Sequence, residues 1–301
     1  MLTAYVAVFF CIVSLGVFIY LVDEVGRSLR PSGALKLVAR MGRDVIKNVY
    51  PRLLLGSPGT MPGSLKIPEG KPRAEILNQR EGVVLAFDTE GLVSIAQLAD
   101  CVIEMLPQVG DFVAAGQPLF RIFGSGEIPP VKSLYHSVAV GPERTLQQDP
   151  GFAFRIMVDI ASKGLSPAIN DPTTAVQAID QIQYLLRHLG SRYLDDEQRL
   201  DDKGLVRLVY RLPDWEDFVG LAVTEVRQFG GTSIQIARRL RAMLEHLILT
   251  LPEERAPALK RELNLLERSA RRFFPEAEDL AMADVSDFQG VGGKKSLNNQ
   301  R

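Results

Sequence analysis

With 301 residues the chain is longer than a single membrane span requires, and its length predicts one or two folded units. Hydrophobic residues make up 46%, charged residues 24%, and the net charge is -1, a globular balance that excludes a disordered chain and offers no basic surplus for a nucleic acid partner. Two cysteines, Cys11 and Cys101, exclude a disulfide framework and a thiolate metal site, so the soluble part suits a reducing compartment.

Residues 1–22 carry no charged side chain, and at about 1.5 Å per residue a helix of that length covers the roughly 30 Å hydrocarbon layer of a bilayer. A cleaved signal peptide fits less well, because no basic residue precedes the apolar run, the run is too long, and no small-residue cleavage pattern lies before Asp23. The reading is a transmembrane helix over 1–22. Arg27, Arg30, Lys36, Arg40 and Arg43 crowd its C-terminal flank, which places everything after it on the cytoplasmic side of a bacterial plasma membrane.

Residues 23–50 form the juxtamembrane part, with a helix interrupted near Pro31 and resumed from Gly33 to Val49, where Leu37, Met41, Val45 and Val49 repeat at helical spacing. It is either a connector lying against the domain or a helix in the headgroup layer with Lys36, Arg40, Arg43 and Lys47 toward anionic lipid. Pro51, Pro58, Pro62, Pro68 and Pro72 mark residues 51–74 as a linker.

From 75 to 140 the pattern is short and β-like: strands at 82–87, 101–106, 111–123 and 136–140, with a helix from Thr89 to Ala99 between the first two. The turn at Gly110 and Asp111, followed by Val113, Gly116, Pro118 and Leu119, is similar to the hammerhead turn of biotinyl and lipoyl carrier domains. No lysine lies between Lys71 and Lys132 to take the cofactor, so a carrier role is disfavoured and only the small-barrel shape is expected.

Residues 141–283 read as mainly helical. Asp149 before Pro150 and Asp171 before Pro172 each combine a capping carboxylate with a proline that needs no N–H at the first helical position. The two helices they open should end at Gly164 and Gly190. A strand at 204–212 follows an aspartate-rich loop, including Asp195, Asp196, Asp201 and Asp202, that reads as solvated. Helices then run from Asp214 to Phe229, Ser233 to Thr250 and Glu253 to Phe274, the last starting late because of Pro257. The Gly, Asn, Ser and Lys composition of 284–301 predicts a disordered tail. The fold class is therefore membrane-anchored α+β: one N-terminal transmembrane helix, a small β-rich hammerhead or barrel-like unit, and a mostly helical domain.

Residues 141–180 set charged and amide side chains among apolar ones without making a solvent face. Here ERTxxQD at Glu143 to Asp149, the Arg155 and Asp159 pair, SPxINDPTTA from Ser166 to Ala175 and then Asp180 stand out, with GDFV at 110–113 before them. In these motifs the chain resembles the uncharacterised bacterial family of predicted membrane proteins catalogued as domain of unknown function 2254, from the span to the helix ending near Thr250. The resemblance implies membrane residence and a shared cytosolic domain, and it carries no activity, substrate or catalytic residue. It also implies several spans ahead of this one, so the chain is expected to be an N-terminally shortened version of a multi-span protein.

Arg155 and Asp159, four apart on a helix, share a face and form an ion pair; were that face buried, losing one partner would cost about 3–5 kcal/mol. The bland reading is a structural brace. The sharper one joins Arg144, Asp149, Arg155, Asp159, Asn170, Asp171 and Thr174 into one polar pocket at two adjacent helix N-termini, with Glu143, Thr145 and Asp180 from the same motifs as further members. His136, His188 and His246 lack metal-ligand spacing, no nucleotide-binding glycine loop or nucleophile elbow occurs, and neither a metal nor a cofactor is expected.

Two functional classes remain. A non-enzymatic module would assemble with itself or a partner, sense a small-molecule or ion ligand, or serve a transporter or channel; an enzyme would use Asp159 or Glu143 as acid or base. The module is preferred, and Leu240, Met243, Leu244, Leu247 and Leu251 suggest a homo-oligomer as well as a core.

Overall fold

A computed structural model describes residues 2–28, 31–54, 70–194 and 197–292. The first helix, α1 (Leu2–Ser28), contains the stretch Thr3–Val22, 20 residues of strongly apolar character that are exposed throughout. It is the one helix among the described residues that is long and apolar enough to cross a membrane. Pro31 then occupies the first position of α2 (Pro31–Val49), where its missing N–H costs nothing.

The stripe by which α2 docks is Leu35, Ala39, Gly42, Val45 and Ile46. The sequence pattern had pointed to Leu37 and Met41, yet these are exposed, 56% and 44%. The inward stripe contains Ala39 and Gly42, which hydrophobicity counting ranks low but close packing needs. A Cβ at Gly42 would stand 2.7 Å from that of Ala153 and 3.0 Å from the Leu185 side chain, so only glycine lets the backbones approach this closely.

Six strands of the N-terminal half follow: β1 (Ala74–Leu77), β2 (Gly82–Phe87), β3 (Val102–Met105), β4 (Phe112–Val113), β5 (Pro118–Phe123) and β6 (Val138–Gly141), with α3 (Thr89–Leu98) and α4 (Val131–His136) between them. Helices α5 (Pro150–Gly164) and α6 (Pro172–Gly190) come next, then two short strands, β7 (Gln198–Leu200) and β8 (Val206–Val209). The chain closes with α7 (Trp215–Phe229), α8 (Ile234–Thr250), a 3₁₀ turn at Glu253–Arg255, α9 (Ala256–Phe273) and α10 (Ala277–Ala283).

The small β-rich unit, expected as hammerhead or barrel-like, consists of two sheets, β1-β5-β3-β8-β7 and β4-β2-β6. Residues 198–209, grouped by sequence with the helical part, complete the larger sheet, β8 pairing parallel to β3 with Leu208 opposite Ile103. The reason lies in the aspartate-rich loop, which is not wholly solvated. Asp201 accepts from the amides of Lys203 and Leu205 at 2.9 Å and from Arg207 Nε at 2.8 Å, and Arg207 reaches Asp100 and the Cys101 carbonyl just before the start of β3. The Arg207 guanidinium holds the Asp201 carboxyl below the usual carboxylate range. Asp195 and Asp196 lie outside the described residues.

Two cores result. One is built by Val84, Leu92, Ile103, Phe120, Ile122 and Leu208 around the sheets and α3. The other is shared by α2, α5, α6, α7, α8 and α9, with Ile46, Phe154, Ile182, Leu186, Phe218 and Leu244 at its centre. Leu240, Met243, Leu244 and Leu247 all belong to this core, with Leu251 packed against it, so their burial is explained within the chain. Of the linker at 51–74, residues 55–69 lie outside the described residues; Leu54 N donates to Ser191 O, tying residues just after α2 to the end of α6.

Helices α5 and α6 end at Gly164 and Gly190 as expected, though for a different reason. The following residues, Leu165 and Ser191, cap with φ of -86° and -83°, not in the left-handed region. At Gly190 the constraint is space, since a Cβ would meet Leu251 at 2.6 Å and the Trp215 ring at 3.0 Å.

Residues 284–292 correct the expectation of a disordered tail from 284. They fold back on α8: Arg241 Nη2 donates to Asp284 at 2.7 Å, Arg238 donates to the carbonyls of Val285 and Gly292, and Asp287 accepts from three backbone amides. Residues 293–301 lie outside the described residues.

Candidate functional site

The structure distributes the predicted pocket over four separate contacts. The first lies at the start of α5. Asp149 is buried and accepts from Phe152 N at 2.9 Å, so it caps the helix as expected, and it pairs with Arg144 Nε. The Arg144 guanidinium stands over the Phe152 ring, 5.6 Å from its centroid, and lies directly on Gly110, whose φ is +95°. Any side chain at 110 would be strained and would collide with that guanidinium, which explains why GDFV and ERTxxQD act as one unit. Gln148 Oε1 accepts from Phe87 N at 3.1 Å, linking the same loop to the end of β2. Glu143 is exposed and Thr145 half-buried beside this contact.

The second contact is midway along α5. Arg155 grips Glu225 of α7 through both terminal nitrogens, at 2.8 and 2.6 Å, and donates from Nε to Asp159 at 2.8 Å. Glu225 dominates: its two-point hydrogen bond with Arg155 raises the guanidinium pKa and holds the Glu225 carboxyl below its ordinary range. Sequence spacing found Asp159 because it lies one turn away; it missed Glu225, which lies 70 positions along and carries no local signal. The face is not buried, since Asp159 is 62% and Glu225 43% exposed, so the cost of a buried pair does not apply to it. Asp159→Asn is therefore expected to lower stability by less than about 1 kcal/mol, read as a thermal shift, with the fold intact.

The third contact is the reversal between α5 and α6. Asp171 caps α6, accepting from Thr174 N at 3.1 Å and from the Thr174 hydroxyl at 2.6 Å, and that hydroxyl bond, with the amide second, holds its carboxyl below the usual range. Asn170 reaches a φ of +47°, a conformation asparagine tolerates, and so lets the chain turn. Because α5 and α6 form an antiparallel hairpin, their N-termini lie at opposite ends. A 15-residue helix at about 1.5 Å per residue separates them by roughly 22 Å, too far for one pocket.

The fourth contact joins α6 to α8. Asp180 pairs with Arg239 at 2.7 Å, Arg239 also donates to Gln183, and the Gln183 side-chain amide lies 3.0 Å from His246 Nδ1. Among the described residues no three of His, Cys, Asp and Glu converge as a metal set. Two clefts among the described residues are formed mainly by other side chains. One of about 280 Å³ is lined by Asn78, Arg80, Leu119, Tyr135 and His136. Another of about 150 Å³ is lined by Val49, Phe87, Gln148, Arg199 and Tyr210, between α2 and the sheets.

Chemically, then, the motif side chains join helix to helix and loop to helix. They do not bring a nucleophile to a base. The chain is 27% identical over 280 residues to an uncharacterized protein of Mycobacterium bovis and, to the same extent, to one of Mycobacterium tuberculosis, covering 90% of this chain and 53% of each relative. It thus spans about half the length of the curated relatives it matches. No solved structure matches it. A family model described as a predicted membrane protein (DUF2254) matches residues 1–246, a range that holds all four contacts, and the chain belongs to that family.

Proposed function

We propose that the chain is a membrane-anchored, non-enzymatic module whose folded part stands on the cytoplasmic side of a bacterial plasma membrane and supplies a rigid assembly or regulatory platform there. The observation that carries this reading is where the motif charges go. Arg144, Arg155 and Arg239 each hold a carboxylate across or between elements, and Asp149 and Asp171 cap helices, so the polar side chains expected in a pocket brace the fold. The exposed apolar helix at Thr3–Val22 supports the anchor, and the basic residues that follow it support the orientation.

The anchor is tested by washing cell envelopes with alkaline, high-salt buffer. The protein should stay with the membranes, and its recovery in the wash would overturn the anchor. Orientation is tested by C-terminal fusions, a fluorescent protein that matures only in the cytoplasm and a phosphatase active only outside it. Fluorescence without phosphatase activity is expected, and the reverse pattern would overturn the cytoplasmic placement.

A further inference from the structure

The basic residues of α2 are not scattered around the helix. Lys36, Arg40, Arg43 and Lys47 recur at i, i+4, i+7 and i+11, one residue after the buried Leu35, Ala39, Gly42 and Ile46, so their stripe lies about 100° round the helix from the docking stripe. On one flank of this stripe, toward the outward pole, are the exposed Leu37 and Met41. On the other flank stands α6. Arg43 Nη1 donates to Tyr184 Oη at 3.3 Å, and the Tyr184 ring stacks on His188 with centroids 5.7 Å apart.

The cations there share one field. Burial, then Arg192, Lys47 and Arg43, together push the His188 imidazole below its ordinary pKa, with Asp44 alone opposing them. Asp44 is 61% exposed and touches only the Nε edge of Arg43 among these groups. A surface with this excess of positive charge, an aromatic hydroxyl and two outward apolar side chains, starting three residues after α1 ends, is complementary to the edge of an anionic bilayer.

We propose that Lys36, Arg40, Arg43 and Lys47 of α2, with Tyr184 of α6, bind the phosphates of anionic lipid headgroups, while Leu37 and Met41 enter the acyl boundary. The inference rests on the membrane anchor proposed above and specifies which lipid that anchor prefers. Tyr184 is the contribution that α2 alone could not reveal: it fixes Arg43 so that a phosphate meets a positioned guanidinium.

The test reconstitutes the full chain in phosphatidylcholine vesicles and compares spin-labelled phosphatidylglycerol with spin-labelled phosphatidylcholine at the protein surface. At about 1 kcal/mol, or roughly fivefold, per basic residue near an anionic surface, a several-fold preference for phosphatidylglycerol is expected, falling with salt. Arg43→Gln with Lys47→Gln should cut the preference to a fraction of its value without moving the melting temperature, and Arg271→Gln with Arg272→Gln, on exposed positions of α9, should leave it unchanged. An anchored protein with no preference, or with one that the α2 pair does not diminish, overturns this inference and leaves the anchor standing. Competition by millimolar inorganic phosphate would show a site for free phosphate and also overturn it. Failure of the anchor is seen separately, in the alkaline wash.

Discussion

Glu262→Ala should cost about 3–5 kcal/mol, because it strands a guanidinium inside the helical core. Arg227 of α7 donates from Nε to Glu262 Oε2 of α9 at 3.1 Å, and the two side chains are only 10% and 9% exposed. Thr224 donates to Glu262 Oε1 at 3.3 Å and Arg227 Nη1 donates to Ser269 at 3.4 Å, extending the network on both sides of the pair. Removing the carboxylate leaves a nearly buried positive charge with a neutral hydroxyl in place of its counter-charge. Next to Glu262 in sequence, Arg261 pairs with Glu216 in the open, 58% and 56% exposed, and solvent takes over whatever that pair supplies. Thermal unfolding in detergent, followed by circular dichroism, should therefore separate Glu262→Ala sharply from Arg261→Ala. Arg227→Met combined with Glu262→Leu should recover most of the loss, since replacing both charges removes the stranded one. A Glu262→Ala variant that melts with the parent would show that the pair is not desolvated and would sink the argument.

The same contrast between local and distant partners explains what the sequence revealed. Asp149 with Pro150 and Asp171 with Pro172 were legible because a helix cap is settled within four residues, and both carboxylates do accept from the N3 amide. The span-length helix was legible because it depends on composition alone. The supposed pocket was not, because helical spacing tells which face a residue occupies and says nothing of which end of a hairpin meets which. Only the short connection between Gly164 and Pro172 carried that information: it forces α5 and α6 antiparallel and their N-termini apart.

Two other departures have related causes. On α2 the inward stripe contains Ala39 and Gly42, whose value lies in how closely they admit α5 and α6, a property absent from any hydrophobicity pattern. At the C-terminus, a Gly-rich composition concealed a folded segment because its partners are on α8. Arg238, Arg239 and Arg241 are all buried, and buried guanidinium groups need acceptors. Val285, Gly292 and Asp284 supply them to Arg238 and Arg241, and α6 supplies them to Arg239, so three arginines in four positions of a core helix were the signal that polar groups cover it.

Phe218→Ala should cost a comparable 3–5 kcal/mol, by cavity formation instead of a stranded charge. Phe218 on α7 is 1% exposed and meets two rings edge-on or tilted: Phe154 of α5 at 5.7 Å and Tyr50, just past the end of α2, at 6.2 Å. Truncation removes the transfer energy of the ring and both aromatic contacts, and the three helices cannot all close on the gap. Tyr50→Phe is the control. It keeps the ring and deletes only a 3.3 Å hydrogen bond to the Pro213 carbonyl, so about 1 kcal/mol is the expected loss. Against a total stability of about 5–15 kcal/mol for a folded domain, the Phe218 loss takes a large fraction of what holds the module together. Its local consequence is more informative. Tyr50 pins the end of α2 to α7, and α2 is the segment through which α1 joins the core, so hydrogen exchange across residues 31–50 should accelerate in Phe218→Ala more than across α9. Uniform acceleration over the whole module would instead mean that α2 unfolds only with everything else, and that the connection to α1 is as rigid as the core itself.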